Sequence, residues 1–311
     1  MTISLHEDLK RSFFQTFDKR PHHAWILKGP QGVGKLDFAK QIAAKLLTEV
    51  TPDENVLTKI ENQNHPNFLY VSPSEESALQ TISIEQVRSV SQFLHQTSPD
   101  GNWRIVLLNS LNALTTNSAN GLLKILEAPP PRTVFFLIHH DGARVLPTIL
   151  SRCAQLSFLP ANQNELSTFL PASLSDQEKT LLLSLAHGCP HYLEDLLDQD
   201  VLSLYDSFQK AVHALIENNN YELAHKFART MGHDKKKQDL FLALMEWWLT
   251  TAVKEVALNN RSFFQINCSL SSLLDIQQTI SKIMRWNKTL DLDGGQLVLN
   301  IFFALKKLRA A

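Results

Sequence analysis

Residues 29–40 read GPQGVGKLDFAK. Gly29, Gly34 and Lys35 carry the G-x-x-x-x-G-K spacing of a phosphate-binding loop, with Gly32 between them. Backbone N–H groups of such a loop, at the start of a helix, attract phosphate, and the lysine adds a charge. WILK (25–28) before it reads as a strand, and residues 34–47 after it read as an amphipathic helix. That is the strand–loop–helix setting the motif requires. The next position should be Ser or Thr to hold Mg²⁺, and it is Leu36. Two readings follow: a nucleotide site, or a loop that only turns the chain.

Outward from the loop, the pattern repeats. NFLYV (67–71), RIVLLN (104–109), TVFFLIH (133–139) and QLSFL (155–159) read as further strands, and 84–96 and 116–127 as amphipathic helices. Strand–helix alternation predicts an α/β domain over 1–160, a parallel sheet with helices on both faces. Ligands bind such sheets beyond the carboxyl ends of the strands. After Pro160 the strand runs stop. Short helical stretches over 161–205 predict a small helical domain, and 206–311 predicts an all-helical third domain. Turns are expected at Asn218–Asn220, Gly232–Asp234, Asn259–Asn260 and Gly294–Gly295. Lys235–Lys237 reads as a solvated loop, and Trp247–Trp248 as helical core or a subunit interface.

Hydrophobic residues make up 44% of the 311 and charged residues 20%, as in a folded soluble chain. No apolar run is long enough to span a membrane, and MTISLHEDLKRSFF lacks the apolar core of a leader, so the cytoplasm is the expected compartment. Cys153, Cys189 and Cys268 are too few and too scattered for a disulfide framework or a cysteine zinc site, and no metal site is expected. A net charge of -1 excludes a generally basic nucleic-acid binder. Residues 161–205 hold 1 Lys/Arg against 7 Asp/Glu, a balance of -6 that would repel a phosphate backbone. DNA contacts are therefore expected from the first or last part.

Hydrolysis of ATP also needs carboxylates at the end of a later strand, to hold Mg²⁺ and orient water. RIVLLN is followed instead by Ser110, Leu111 and Asn112, and no carboxylate occurs from Ile105 through Leu126. With Leu36, two independent magnesium features are missing.

The run 114–158 carries a resemblance. SANGLLKILEAPP (118–130), LPTILSRC (146–153), HPNF (65–68) and ISIEQVR (82–88) resemble the clamp-loader branch of the AAA+ proteins, and within it the delta-prime family of bacterial DNA polymerase III. The likeness spans essentially all of 1–205 and weakens over the C-terminal helices; it implies a RecA-like AAA+ domain over 1–160, a helical lid over 161–205 and a helical collar over 206–311. It implies a subunit that is not an enzyme on its own within a DNA-directed DNA polymerase holoenzyme. Such a subunit is a stator whose own site is silent. Its partners would be the delta and gamma/tau subunits, the sliding clamp through the assembly, and primed DNA. Any ATP would be held without hydrolysis.

The same resemblance gives residues their roles. On spacing alone Arg152 is a surface arginine paired with a local carboxylate; as the arginine of S-R-C it would reach the ATP site of a neighbouring subunit. Ser151 and Cys153 would shape the turn that aims it. Arg88 corresponds to a DNA-backbone contact in relatives, or is a plain exposed helix arginine. The γ-phosphate sensor would fall near His139, and in the lid Gly188–His191 places His191 where a second sensor arginine stands. Relatives often carry zinc-binding cysteines before H-P-N-F; TEVTPDENVLTKIENQN (48–64) has none, so the zinc module is absent or replaced. Two alternatives stay open: an active ATPase motor subunit of the same loader, and a small-molecule P-loop kinase.

Overall fold

The computed structural model describes residues 6–49, 53–73, 81–96, 101–142, 145–199, 201–232, 234–258, 269–290 and 293–309. The chain divides into two compact units. The first is Met1–Thr168 with Gly188–His191, and the second is Phe169–His187 with Tyr192–Ala311.

In the first unit the elements run α1 (Glu7–Lys19), β1 (Ala24–Gly29), α2 (Lys35–Thr48), α3 (Val56–Glu61), β2 (Phe68–Val71), α4 (Ile84–His95), β3 (Arg104–Asn109), α5 (Thr116–Glu127), β4 (Thr133–His140), α6 (Pro147–Leu150), β5 (Ala154–Ser157) and α7 (Gln163–Ser167). The strands form one parallel sheet in the order β2-β3-β4-β1-β5. β1 and β4 register Ala24 against Phe135 and Trp25 against Phe136. Strands buried on both faces read as continuous apolar runs, which is why they were legible. Ile26, Val106, Phe135 and Leu137 pack with Val87 and Val90 of α4 and Leu122 and Leu126 of α5 on one face. On the other face Phe13 of α1 meets Trp25 at 4.7 Å and Phe136 at 5.9 Å between ring centroids.

Helix α4 starts where its cap dictates. The Ser83 side chain accepts from the Gln86 N–H, and Gln86 Oε1 accepts from the Ser83 N–H at 3.0 Å. Gln86 Nε2 also donates to Ser72 O, tying the helix start to the chain leaving β2. Ser83→Ala is expected to cost about 1 kcal/mol of stability, the usual worth of such a cap. A urea titration of the two proteins measures it.

The cysteine-free stretch carries the short helix α3 within residues 53–64. Val56 and Ile60 are buried and α3 packs on α2. Lys59 Nζ sits 2.5 Å from Asp53 Oδ2, and Asn64 N–H returns to Lys59 O at 2.8 Å. Apolar burial and hydrogen bonds close this segment.

The second unit holds α8 (Asp176–Ala186), α9 (Pro190–Asp198, whose first two residues pack with the first unit), α10 (Val201–Asn218), α11 (Glu222–Met231), α12 (Lys235–Ala257), α13 (Leu270–Leu290) and α14 (Gly294–Leu305). Its core gathers Phe208, Phe227, Phe241, Trp248 and Phe302, with ring contacts of 5.5 to 6.2 Å. Trp248 is fully buried and Trp247 packs on Tyr205, so the tryptophan pair is core. Two turn readings need correction. Lys235–Lys237 is not a loop but the first turn of α12, because Asp234 caps it by accepting from Lys236 N–H at 3.1 Å and Lys237 N–H at 3.3 Å. Gly294–Gly295 opens α14 behind the Asp293 cap, and a Cβ at 294 would lie 2.6 Å from Gly232 O. Asn259–Asn260 and Cys268 lie outside the described residues. Among the described residues no helix is long and apolar enough to cross a membrane.

Candidate functional site

The phosphate-type loop lies where the sequence put it, between β1 and α2, at the carboxyl end of the sheet. Gly29 has a positive φ of 154°, and a Cβ there would stand 2.5 Å from Phe158 O, so only glycine fits against β5's exit. Gly34 is left-handed at φ 93° and Gly32 at 78°. Lys35, the first residue of α2, does not reach outward. It is buried at 3% exposure, and its Nζ donates to Gly29 O at 2.6 Å and to Pro30 O. Burial pulls its pKa down to about 8, opposed by Asp141 and Cys189.

Other groups hold two further carbonyls of the loop. His6 Nε2–H donates to Val33 O at 2.7 Å, and its ring packs edge-on against Phe158 at 4.9 Å. The His191 N–H donates to Gly32 O at 3.3 Å. His6, Gly34, Asp37, Phe38, Pro190 and His191 enclose a space of about 20 Å³. That is room for a water, far below the several hundred Å³ of a ligand pocket. His6 was not foreseen, because nothing in the sequence before α1 signals that a histidine will fold back on the loop. His191 was foreseen as a sensor substitute; in the structure its backbone binds the loop.

The end of β3 is built of amides where a hydrolytic site would have carboxylates. Asn109 Nδ2 donates to Tyr70 OH at 3.0 Å. Asn112 links two strands' ends: its Nδ2 donates to His140 O at 3.2 Å and its Oδ1 accepts from His139 Nδ1–H at 2.9 Å. His139 is buried, and burial lowers the pKa of both His139 and His140, which favours neutral rings. Asp141, directly after β4, is the carboxylate felt by Lys35, His139 and His140. Sequence reading passed over it, although the carboxyl ends of strands are where site residues are expected. Among the described residues no group of three His, Cys, Asp or Glu is placed to hold a metal.

The S-R-C stretch forms the turn between α6 and β5. Arg152 is part-exposed, and its Nη2 pairs with Glu127 Oε1, at the end of α5, at 2.8 Å. Its Nη1 donates to Thr148 O at 3.0 Å and to Ser151 Oγ at 3.3 Å, while Ser151 Oγ–H donates to Thr148 O. The local carboxylate pairing expected from spacing alone is thus present. Ser151 and Thr148 hold the guanidinium along the turn. Cys153 packs against the sheet core, and burial pushes its thiol up to about 12, which makes it an inert packing group. Arg88 is exposed on α4. The structure brings Gly29, Gly32, Gly34, Lys35 and His191 together; Arg152 and Arg88 lie on other elements.

A parallel sheet ordered β2-β3-β4-β1-β5, with a phosphate-type loop after its first strand, puts the first unit in the RecA-like class of α/β folds. A crystal structure of a gamma subunit-related protein of DNA polymerase III from Thermotoga maritima shares the fold. Its TM-score is 0.53 at 17% identity, over 96% of this chain and 99% of that one. The particular family follows from the sequence: residues 5–162 match the model of the DNA polymerase III delta subunit family, and the chain belongs to it. Curated relatives include delta-prime subunits. That of Pseudomonas aeruginosa is 35% identical over 188 residues, 58% of this chain and 57% of the relative. That of Bacillus subtilis is 26% identical over 236 residues, 74% and 65%. The chain thus spans between about half and two thirds of the length of these relatives.

Proposed function

We propose that this chain is a non-hydrolysing delta-prime subunit of a bacterial clamp loader. It would work in the cytoplasm with delta and gamma/tau subunits to place a sliding clamp on primed DNA. Arg152 would complete the ATP site of a neighbouring subunit, with Ser151 and Cys153 shaping its turn and Arg88 facing the duplex backbone. The first unit supplies the AAA+ domain, and the C-terminal helices serve as lid and collar.

The observation that carries this reading is the state of Lys35. An ammonium that would meet the phosphates of bound ATP is instead taken up by two carbonyls of its own loop. Leu36 and the amides at the end of β3 offer Mg²⁺ no hydroxyl and no carboxylate. Asp141, coupled to Lys35, favours a second reading, an active motor subunit in which the loop opens around Mg·ATP.

Isothermal titration of the purified chain with Mg·ATP separates the two. No heat of binding and no released phosphate is the expected result. Magnesium-dependent hydrolysis by the isolated chain would overturn the stator reading.

A further inference from the structure

A groove on the second unit is lined by α10, α11 and the start of α12, with a volume of about 490 Å³. Along α10 it extends from Ser203 to Lys210, and along α11 from Leu223 to Met231. At 1.5 Å per residue each wall is about 10 Å long, two helical turns. Its floor is apolar: Phe227, Met231 and Leu240 are buried there. Leu223, 38% exposed, stands beside them as an apolar side chain open to water. The lining has three lysines, Lys210, Lys226 and Lys237, one on each of the three helices, and no Asp or Glu. Lys237 has a distant partner, Asp234 at 3.9 Å; Lys210 and Lys226 make no ion pair among the described residues.

We propose that this groove docks an acidic amphipathic helix of a partner protein. An apolar floor bounded by cations complements a helix with leucine-like residues at i, i+4 and i+7 and carboxylates along its flanks. The floor gains by excluding water, and the lysines steer and register the acidic flanks. Nucleic acid fits the lining less well. A phosphate backbone gains nothing from an apolar floor, the lining contains no arginine fork, and Phe227 is too deeply buried to offer a stacking face.

The test uses the full chain and a labelled synthetic helical peptide carrying leucines at i, i+4 and i+7 with glutamates elsewhere. A scrambled peptide of the same composition and a single-stranded oligonucleotide serve as comparators. Fluorescence anisotropy should show saturable binding of the patterned peptide that weakens as salt rises. Binding should fall at least about tenfold in the double variant Lys210→Glu, Lys226→Glu and, independently, in Leu223→Asp. All three sites are exposed, so melting temperatures should stay near that of the parent; the double charge variant stands alone if Leu223→Asp unfolds. Absent binding, equal binding of the scrambled peptide, indifference to these substitutions, or tight binding of the oligonucleotide that the patterned peptide fails to displace would each overturn the proposal.

Discussion

Arg152→Ala is expected to lower the DNA- and clamp-stimulated ATP turnover of a reconstituted loader by about 10³-fold or more, with all subunits still co-eluting. The size follows from what a planar, permanently charged fork does for phosphoryl transfer when supplied by a neighbour: 10³ in rate is about 4 kcal/mol of transition-state stabilisation. The pairing with Glu127 is no obstacle. It lies on the surface, with the arginine 36% and the glutamate 54% exposed, and such pairs are worth at most about 1 kcal/mol. The guanidinium can therefore leave its local partner for a phosphate at small cost. Arg152→Lys keeps the charge and loses the fork, so intermediate turnover is expected. Unchanged turnover in Arg152→Ala, measured with saturating clamp and primed DNA, would remove this residue from the mechanism.

The second large effect concerns Lys35 and pH. Its pKa in the folded chain, about 8, lies below the 10.5 of an exposed lysine, because burial disfavours the ammonium. Between those values the folded state releases a proton that the unfolded state keeps. Stability from this group is therefore fully present above pH 10.5 and is lost as pH falls to 8. The difference of 2.5 units corresponds to about 3 kcal/mol. Urea unfolding of the parent and of Lys35→Met, followed by tryptophan fluorescence across this range, should show the parent gaining by that amount relative to the variant. A constant difference between the two would mean that the carbonyls of Gly29 and Pro30 hold the ammonium charged throughout.

Much of the first unit was legible because its strands are buried on both faces and so stand out as apolar runs, as in RIVLLN and TVFFLIH. The phosphate-type loop was legible from glycine spacing alone, since Gly29, Gly32 and Gly34 all have positive φ. The orientation of Lys35 was not. Spacing does not say whether an ammonium points outward or back onto two carbonyls, nor that His6 and His191 reach the loop from 27 residues before Val33 and far beyond it. Helix α3 escaped because six residues are too few to display a period. The lysine run at 235 was misread for want of weighing Asp234 as a cap, and Gly294 because a glycine needed for close packing looks like one needed for a turn. The Glu127–Arg152 pair spans 25 residues, and only the fold brings its partners together.

The turn around α3 is fastened between Asp53 and Asn64 by two aliphatic side chains, a lysine–aspartate contact and a backbone hydrogen bond. A chelator or an oxidant finds no thiolate there to strip or modify. Removing transition metals is therefore expected to leave the fold of this corner unchanged, where a thiolate-bound corner would come apart.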